Sequence, residues 1–377
     1  MSLLAHQPSF RASHMYHERS GRALRSKPGR HIESKLNRHN MKSANAPCPP
    51  DLIGRTALGA FELQRSIGEG GFATAYLARQ LYVERQAVVK IAHPDLMHGA
   101  RGEAVRRAFQ TEARALGRLA HPHVVTLYLV GEEGGLPAIA MEYVNGMSLG
   151  RLFHHHPTLN VHWMTQLFEQ LISALVMLRR ARIVHRDITP DNVLVEIDAD
   201  THHLNVKLFD FGLALLDGEQ PRRSGVTGTP RYIAYEQFQG AASDKTDVFN
   251  LGALMWWAFT GEEFLAEAND LSSTLLLQQC QPRRPLGQDG RLLPREIEEL
   301  LAQMLSPNPA RRPGIHDVQR RWPELMRRWA EHHREGRRRQ QRRSSEIPCI
   351  EPTPPTQEGP TTTPPCSVEQ AHPHSVR

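Results

Sequence analysis

The sequence predicts an α+β fold, because strand patterns and a helix pattern follow one another in one stretch of chain. A glycine-rich segment, Ile67–Tyr76, lies between two short apolar runs, which is typical of a strand, a tight turn and a second strand. Ala87–Ile91 is a short apolar run of the kind found in buried strands, and the apolar residues of Ala108–Leu116 recur at helical spacing.

The glycine-rich turn is a candidate phosphate-binding loop. Glycine has no side chain, so backbone amides in such a turn can approach phosphate oxygens closely. The motif alone is a weak signal, since short patterns match by accident. The candidate nucleotide-binding residues in and beside the turn are Ile67, Gly68, Glu69, Gly70, Gly71, Phe72, Ala73 and Ala75.

Lys90 is a charged residue inside the predicted strand Ala87–Ile91. A buried cation requires an anionic partner, and phosphate oxygens or a carboxylate are both suitable. The predicted helix Ala108–Leu116 supplies a carboxylate, Glu112. We therefore expect an ion pair between Lys90 and Glu112.

A second group of motifs has the order that a phosphoryl-transfer site requires. Asp187 lies in the segment His185–Asn192, and the motif Asp210–Gly212 follows it. Phosphoryl transfer needs little covalent help from a protein, but it needs a positioned nucleophile and metal ions that hold the phosphates. Asp187 is the candidate base, and Asn192 and Asp210 are the candidate magnesium ligands.

Taken in order, these motifs resemble the eukaryotic-like, bacterial-type serine/threonine protein kinase family, from about Phe61 to about Trp322. The resemblance implies the bilobal protein kinase fold, with a small N-lobe of antiparallel β-sheet and one helix, and a larger, mainly α-helical C-lobe. The kinase domain is expected at residues 58–332, with the N-lobe at about 58–143 and the C-lobe at about 148–332. The resemblance further implies transfer of the γ-phosphate of ATP to protein hydroxyls, with Mg²⁺ and with autophosphorylation.

The resemblance also implies roles for single residues. Gly68 and Gly70 belong to the loop that covers the phosphates. Lys90 contacts the ATP phosphates and Glu112 orients Lys90. Asp187 accepts the proton of the substrate hydroxyl.

The remaining nucleotide contacts are implied in the same way. Asn192 and Asp210 match the two positions that hold magnesium. Met141–Val144 looks like the hinge between the lobes, where the backbone at Glu142 and Val144 receives adenine.

Other motifs resemble parts of the family that support the site and the peptide substrate. Arg186 matches the position that contacts a phosphorylated activation loop. Gly228–Glu236 resembles the segment that shapes the peptide-binding shelf. Asp247 resembles the helix residue that braces the catalytic loop, which here is His185–Asn192. Arg312 matches the ion-pair partner of Glu236.

The sharpest departure from the family is Thr189, where serine/threonine kinases carry a Lys that neutralises the transferring phosphate. Losing one preorganised charge costs roughly 100-fold to 1000-fold in rate. We expect a slowed site rather than a dead one, because Lys90 and the metal ions remain. Arg222, Arg223 and Arg231 are alternative cations. Tyrosine kinases place an Arg near this point, and none follows the candidate base here.

Smaller departures are Ala73 at the third glycine position, Ala75 at a position usually held by Val, and Tyr235 at a position usually held by Pro. Ala73 should preserve the turn. Tyr235 removes a rigid φ but leaves the adjacent Glu236 available for its ion pair.

Two other functions compete with a protein kinase. A pseudokinase, a nucleotide-binding interaction module with little or no transfer, is favoured only by Thr189. A small-molecule kinase of related fold is disfavoured by Gly228–Pro230 and by the pair of Glu236 and Arg312, which serve peptide substrates.

The net charge of +6 is concentrated in the flanks of the 377-residue chain. Residues 1–50 carry nine Lys or Arg against two Glu, and residues 320–343 carry ten Arg against three Glu. We expect residues 1–57 to be a basic, disordered tail and residues 333–377 to be an Arg-rich and then Pro/Thr-rich disordered tail. No nucleic-acid recognition module is recognisable in either tail.

The segment between Asp210 and Glu236 offers Ser224 and Thr227 as phosphorylation sites, and the C-terminal Thr residues offer others. A phosphate on Thr227 would add negative charge that can pair with Arg186 and order the loop. The alternative is an unphosphorylated loop that packing alone holds in order.

Several features favour a soluble, cytoplasmic protein. The four cysteines are scattered, which suits a reducing compartment and argues against zinc or disulfides. The first residues lack the apolar core of a secretory signal, and the longest apolar run, near Leu251–Thr260, is about half the length of a membrane span. Met41 is an alternative start to Met1.

Two acidic or histidine-rich stretches resemble metal sites only superficially. Consecutive residues fan out around a helix, so His154–His156 is not expected to converge on one ion. Asp198–Asp200 lacks the Gly and Glu of a calcium loop, so a hairpin turn is expected there.

Overall fold

The computed structural model describes residues 52–156, 159–217, 219, 229–268, 270–279, 287 and 292–345, and it describes no side chains within 336–345. Several predictions fall outside these ranges. They concern the four cysteines, the candidate cations Arg222 and Arg223, the phosphorylation sites Ser224 and Thr227, Gly228, and the C-terminal Thr residues.

The N-terminal part is a six-stranded antiparallel sheet with one long helix beside it. The elements are β1 Thr56–Ala57, β2 Phe61–Glu69, β3 Ala73–Gln80, β4 Arg85–Ala92, α1 Gly99–Leu116, β5 Leu127–Glu133 and β6 Leu136–Glu142. The strand order in the sheet is β1-β2-β3-β4-β6-β5. The predicted strand-turn-strand, the buried strand and the helix are all present.

The described fold begins earlier than residue 58. Thr56 and Ala57 pair with β2, and the backbone N of Gly54 donates to Leu63 O at 2.7 Å. Ala57 is only 1% exposed. These pairings depend on the backbone rather than on an apolar pattern, which is why the sequence did not predict this short strand.

Strand β4 shows why one face of the sheet carries the functional lysine. Ala87, Val89 and Ile91 are buried in a cluster on one side of the sheet. Because side chains alternate across a strand, Lys90 lies on the opposite face. That face is the one against which α1 packs, since Glu112 of α1 contacts Lys90.

The C-terminal part is mainly helical, with three short antiparallel pairings, β7 with β9, β9 with β10, and β8 with β11. A long buried helix, α5, lies at its centre; Ser243 caps its start and Gly261, with φ 83°, ends it. The elements are β7 Met147–Ser148, α2 Leu149–His155, α3 Val161–Arg180, β8 Ile183–Val184, β9 Val193–Ile197, β10 Leu204–Leu208, β11 Leu215–Leu216, α4 Tyr235–Phe238, α5 Asp244–Thr260, α6 Leu271–Gln279, α7 Arg295–Met304 and α8 Ile315–Ser345.

The turn between β9 and β10 is the predicted hairpin. One carboxylate oxygen of Asp198 accepts hydrogen bonds from the backbone N atoms of Asp200 and Thr201, at 3.1 and 2.7 Å. This is the local bonding by which Asp stabilises tight turns. Among the described residues, no group of three or more His, Cys, Asp or Glu side chains could hold a metal ion.

Helix α8 continues beyond residue 332, where the sequence placed the end of the domain. Trp322 and Trp329 in the first half of the helix are buried, at 3% and 1% exposed. The backbone remains helical to Ser345. The first Arg-rich residues of the expected disordered tail are therefore helical. Arg, Glu and Gln have high helix propensity, which supports a helix without an apolar face. None of the helices in the described ranges is both long and apolar enough to span a membrane.

Candidate active site

Lys90, Glu112 and Asp210 form one connected cluster. Lys90 Nζ lies 2.9 Å from Glu112 Oε2 and 3.2 Å from Asp210 Oδ1. The Glu112 side chain is 2% exposed, whereas that of Asp210 is 41% exposed. The ion pair expected from the sequence is present, and a second carboxylate from a distant motif joins it on the open side.

The charges of this cluster stabilise one another. Burial by itself lowers the pKa of Lys90, but the carboxylates of Glu112 and Asp210 outweigh burial, and the pKa of Lys90 is raised. Burial raises the pKa of Asp210, yet the nearby Lys90 cation outweighs it and the pKa is lowered. Lys90 is therefore held as a cation and Asp210 as an anion at neutral pH.

The candidate base, Asp187, is held by two residues. Asn192 Nδ2 donates to Asp187 Oδ2 at 2.9 Å and to the backbone O of Asp187 at 2.9 Å. The backbone N of Thr229 donates to Asp187 Oδ1 at 3.2 Å. Burial raises the pKa of Asp187 despite these hydrogen bonds, so its carboxylate is a stronger base than an exposed Asp.

The loop before Asp187 is braced from α5. Asp247 Oδ2 accepts from His185 N and Asp247 Oδ1 accepts from Arg186 N, both at 2.9 Å. His185 is fully buried, and burial lowers its pKa to about 4, so its imidazole is neutral. Burial raises the pKa of Asp247 to about 7. The bracing expected from the resemblance is present.

The glycine-rich turn connects β2 to β3 and is closed by a hydrogen bond from Gly70 N to Ala73 O at 2.9 Å. Ala73 is the first residue of β3 and is 4% exposed, so the missing third glycine leaves the turn intact. A Cβ atom on Gly68 or Gly71 would meet no atom of the described chain within 4 Å. Internal packing therefore does not explain these glycines.

The hinge contains an ion pair that the sequence did not predict. Lys207 Nζ of β10 lies 2.7 Å from Glu142 Oε1, and Glu142 Oε2 accepts from Thr126 N and Oγ1, each at 3.0 Å. Lys207 lies 65 residues from Glu142 and is part of no motif identified in the sequence. The Glu142 side chain is thus committed to protein contacts. Its backbone N donates to Thr126 O at 2.9 Å, and Val144 packs against the main core.

Arg312 and Glu236 form the predicted ion pair, with Nη1 to Oε1 at 2.6 Å and Nη2 to Oε2 at 2.9 Å. Tyr235, which replaces the expected Pro, is the first residue of α4. That position tolerates residues with or without an N–H donor, because the first helical amides have no partner within the helix.

Thr189 lies two residues after Asp187 and is 2% exposed. Of the alternative cations, Arg231 is engaged elsewhere, since its Nη1 pairs with Glu263 and its Nε donates to Ala268 O. Arg231 is therefore not a free substitute for the missing lysine.

The oxygen atoms of Asn192 and Asp210 are of the kind that Mg²⁺ bound to a nucleotide prefers as ligands. Mg²⁺ prefers oxygen ligands and usually keeps waters and substrate phosphates among them. Asp210 supplies a partly exposed carboxylate. The side-chain amide nitrogen of Asn192 donates to Asp187, so the side-chain carbonyl oxygen is the atom of Asn192 that would coordinate the ion.

Comparison with known proteins gives a consistent assignment. The sequence model of the protein kinase domain matches residues 61–322. The chain is 31% identical over 265 residues to the serine/threonine-protein kinase PrkC of Bacillus subtilis, covering 69% of this chain and 39% of that protein. It is 33% identical over 281 residues to the serine/threonine-protein kinase pkn3 of Myxococcus xanthus, covering 71% and 50%. The chain thus spans half or less of the length of these relatives.

Proposed function

This chain belongs to the protein kinase family, and from that premise we propose that it is a serine/threonine protein kinase. It transfers the γ-phosphate of ATP to hydroxyl groups of proteins, including its own. The observation that carries the proposal is the arrangement of Asp187, Asn192 and Asp210, with Lys90 bonded to Asp210. What supports joining the two pairs into one site is the hydrogen bond from Phe209 N, directly before Asp210, to Asn192 O at 3.1 Å.

The transfer step uses the basicity of Asp187. The hydroxyl oxygen of the substrate forms a bond to the γ-phosphorus while the bond from that phosphorus to the bridging oxygen of ADP breaks. The hydroxyl proton passes to the carboxylate of Asp187, which Asn192 and Thr229 hold in place. Burial makes this carboxylate a better acceptor.

Binding and orientation fall to the other residues. Bound Mg²⁺ supplies positive charge at the phosphates, and Asn192 and Asp210 would hold it. Lys90 contributes a further cation, fixed by Glu112. The amides of the turn around Gly68 and Gly70 cover the phosphates, and the backbone of the hinge receives adenine.

Thr189 reduces the rate without removing the activity. A hydroxyl cannot neutralise the transferring phosphate, and losing one preorganised charge costs roughly 100-fold to 1000-fold. Lys90 still supplies one cation on the phosphates. Apart from Thr189, no observation in the described site favours the pseudokinase, because Lys90 and Asp210 are retained as one bonded pair and Asp187 and Asn192 as another.

The wider assignments are also part of the proposal. The catalytic domain extends over residues 58–332, to which the hydrogen-bonded residues from Leu52 and the helical extension of α8 are added. Ser224 and Thr227 are candidate autophosphorylation sites. A cytoplasmic location and a bacterial origin are supported by the scattered cysteines and by the bacterial relatives.

The test is transfer of radiolabelled phosphate from Mg-ATP to the chain itself and to a generic basic protein, followed by identification of the labelled amino acids. We expect phosphoserine or phosphothreonine with the wild-type chain and only background with Asp187→Asn. If the wild-type chain binds nucleotide but transfers no label above that background, the kinase proposal fails and the pseudokinase takes its place.

A further inference from the structure

Glu219, which follows strand β11, contacts two separate parts of the molecule. Its Oε1 lies 3.2 Å from Nη1 of Arg114 on helix α1. Its Oε2 accepts a hydrogen bond from Leu216 N at 3.4 Å, and its own backbone N donates to Leu216 O at 3.0 Å. Glu219 therefore closes a short turn in the activation segment, which is the stretch between Asp210 and Glu236, and links that turn to α1 by charge.

The link reaches the helix that carries a proposed site residue. Arg114 lies two residues after Glu112, in the last turn of α1. Glu112 holds Lys90 at 2.9 Å, so a displacement of this end of α1 would lengthen that contact. The pair of Arg114 and Glu219 therefore restrains this end of α1.

The same turn is also tied to the catalytic loop. β11 pairs with β8, and β8 runs directly into that loop. Arg186 Nε donates to Leu213 O, just before β11. Burial lowers the pKa of Arg186, and the charges of Asp247 and Glu219 oppose that shift, which places the Glu219 carboxylate within electrostatic range of the guanidinium.

The negative charge of Glu219 thus lies between α1 and the catalytic loop, where a phosphate on the activation segment would also act through Arg186. We propose that Glu219 is a positioning residue whose fixed charge holds α1 and the start of the activation segment together, so that the pair of Lys90 and Glu112 forms without phosphorylation of the loop. This inference rests on the proposed kinase function and adds its regulation.

The expected effect is modest, because the side chains of Arg114 and Glu219 are 55% and 36% exposed. Solvent screens such a pair, and exposed ion pairs change an equilibrium by about two- to fivefold. Because the charge of Glu219 also acts on Arg186, we expect the loss of Glu219 to lower kcat by about three- to tenfold.

A neighbouring ion pair provides the matched control. Asp217 lies in the same segment and pairs with Arg182 at 3.0 Å, with side chains 55% and 75% exposed. Arg182 adjoins β8 and is not part of α1, so Asp217→Asn removes an equivalent charge without releasing that helix.

The experiment measures kcat and KM for ATP by label transfer in a parent chain carrying Ser224→Ala and Thr227→Ala. Glu219→Gln, Arg114→Gln, their double variant, Arg114→Lys and Asp217→Asn are compared in that parent. We expect the parent to stay within about twofold of wild type. The two Gln variants should lower kcat with little change in melting temperature. The double should be no worse than Glu219→Gln alone, because that variant already removes the interaction with Arg114. Arg114→Lys should recover most of the rate.

Three outcomes would overturn the inference. They are a parent chain that transfers no label, a kcat of Glu219→Gln equal to that of Asp217→Asn, or losses of kcat that add up in the double variant. If the wild-type chain transfers no more label than Asp187→Asn, the kinase function itself fails. Hydrogen exchange of the α1 amides then decides about Glu219 independently. Faster exchange in Glu219→Gln than in Asp217→Asn supports the link, and equal exchange refutes it.

Discussion

Two ion pairs of this molecule each contain a buried carboxylate but have different surroundings. Arg312 and Glu236 are joined by two hydrogen bonds at 2.6 and 2.9 Å, with side chains 0% and 5% exposed. Lys90 and Glu112 are joined by one at 2.9 Å, and the lysine is 24% exposed.

The difference lies in what the remaining donors do. Arg312 also donates to Ser306 O at 2.8 Å and to Lys245 O at 2.9 Å, so the guanidinium is closed off by protein. Lys90 shares its ammonium group with Asp210, whose side chain is 41% exposed. The first pair stabilises the fold, whereas the second keeps a cation accessible to a ligand.

The largest effect should come from breaking the closed pair. Arg312→Met leaves Glu236 buried without a cation, which costs about 3–5 kcal/mol of unfolding free energy. Urea unfolding measures this loss. Arg295→Met is the control, because its partner Glu299 lies one helical turn away and its own side chain is 86% exposed; we expect a change within about 0.5 kcal/mol. A loss below about 1 kcal/mol for Arg312→Met would show that the pair is not structural.

Breaking the open pair should affect transfer more than stability. Lys90→Met removes a cation from the phosphates, and we expect label transfer to fall by roughly 100-fold to 1000-fold. Its urea midpoint should fall less than that of Arg312→Met, because Asp210 is solvated and Glu112 can take up a proton. The reverse order of the two midpoints would contradict the comparison.

Adding a cation next to Asp187 should change the rate of transfer and so sharpen the distinction between the structural ion pair and the accessible one. Thr189→Lys adds the charge that neutralises the transferring phosphate, and we expect initial rates to rise by about 10- to 100-fold. Thr189→Met has similar length without the charge and should give no increase. An unchanged rate in Thr189→Lys would mean that another cation already serves the site.

The pH dependence should report the burial of Asp187. Transfer requires its carboxylate, so activity is lost as the pH falls through the pKa of Asp187. Because burial raises that pKa, the loss should begin at a higher pH than for an exposed Asp. The neighbouring lysine in Thr189→Lys favours the carboxylate and should move the acidic limb of kcat/KM to lower pH. If the acidic limb of kcat/KM is the same in the wild type and in Thr189→Lys, a group other than Asp187 causes it.

The smallest effect should come from the closing segment. Tyr235 is the first residue of α4, and the preceding Ala234 has φ −74° and ψ 150°, which is compatible with a following proline. Tyr235→Pro should stabilise the chain by about 0.4–1 kcal/mol through the unfolded state. A lower melting temperature than wild type would show that the Tyr side chain or its N–H is needed.

The sequence predicted those parts of the site that reside in compact motifs. Lys90, Glu112, Asp247 and Arg312 were identifiable because each lies at a characteristic place within a short pattern, and the structure brings each to its expected protein partner. Their roles toward nucleotide and substrate stay predictions.

The contacts that the sequence missed depend on tertiary structure alone. Lys207 of β10 reaches Glu142 in the hinge, and Arg114 of α1 reaches Glu219, across 65 and 105 residues of chain. Neither pair has a spacing that a periodic pattern can reveal. The ends of the fold were missed for a related reason, since β1 is held by backbone pairing and the last turns of α8 lack an apolar face.

The most direct test of a transfer site built around Asp187 is the initial rate of label transfer from Mg-ATP in the wild type and in Asp187→Asn, at equal nucleotide occupancy. The account predicts a rate in the wild type that falls by at least about 100-fold in the variant, with unchanged nucleotide affinity. Equal rates in the two proteins, or no transfer by either, would contradict it.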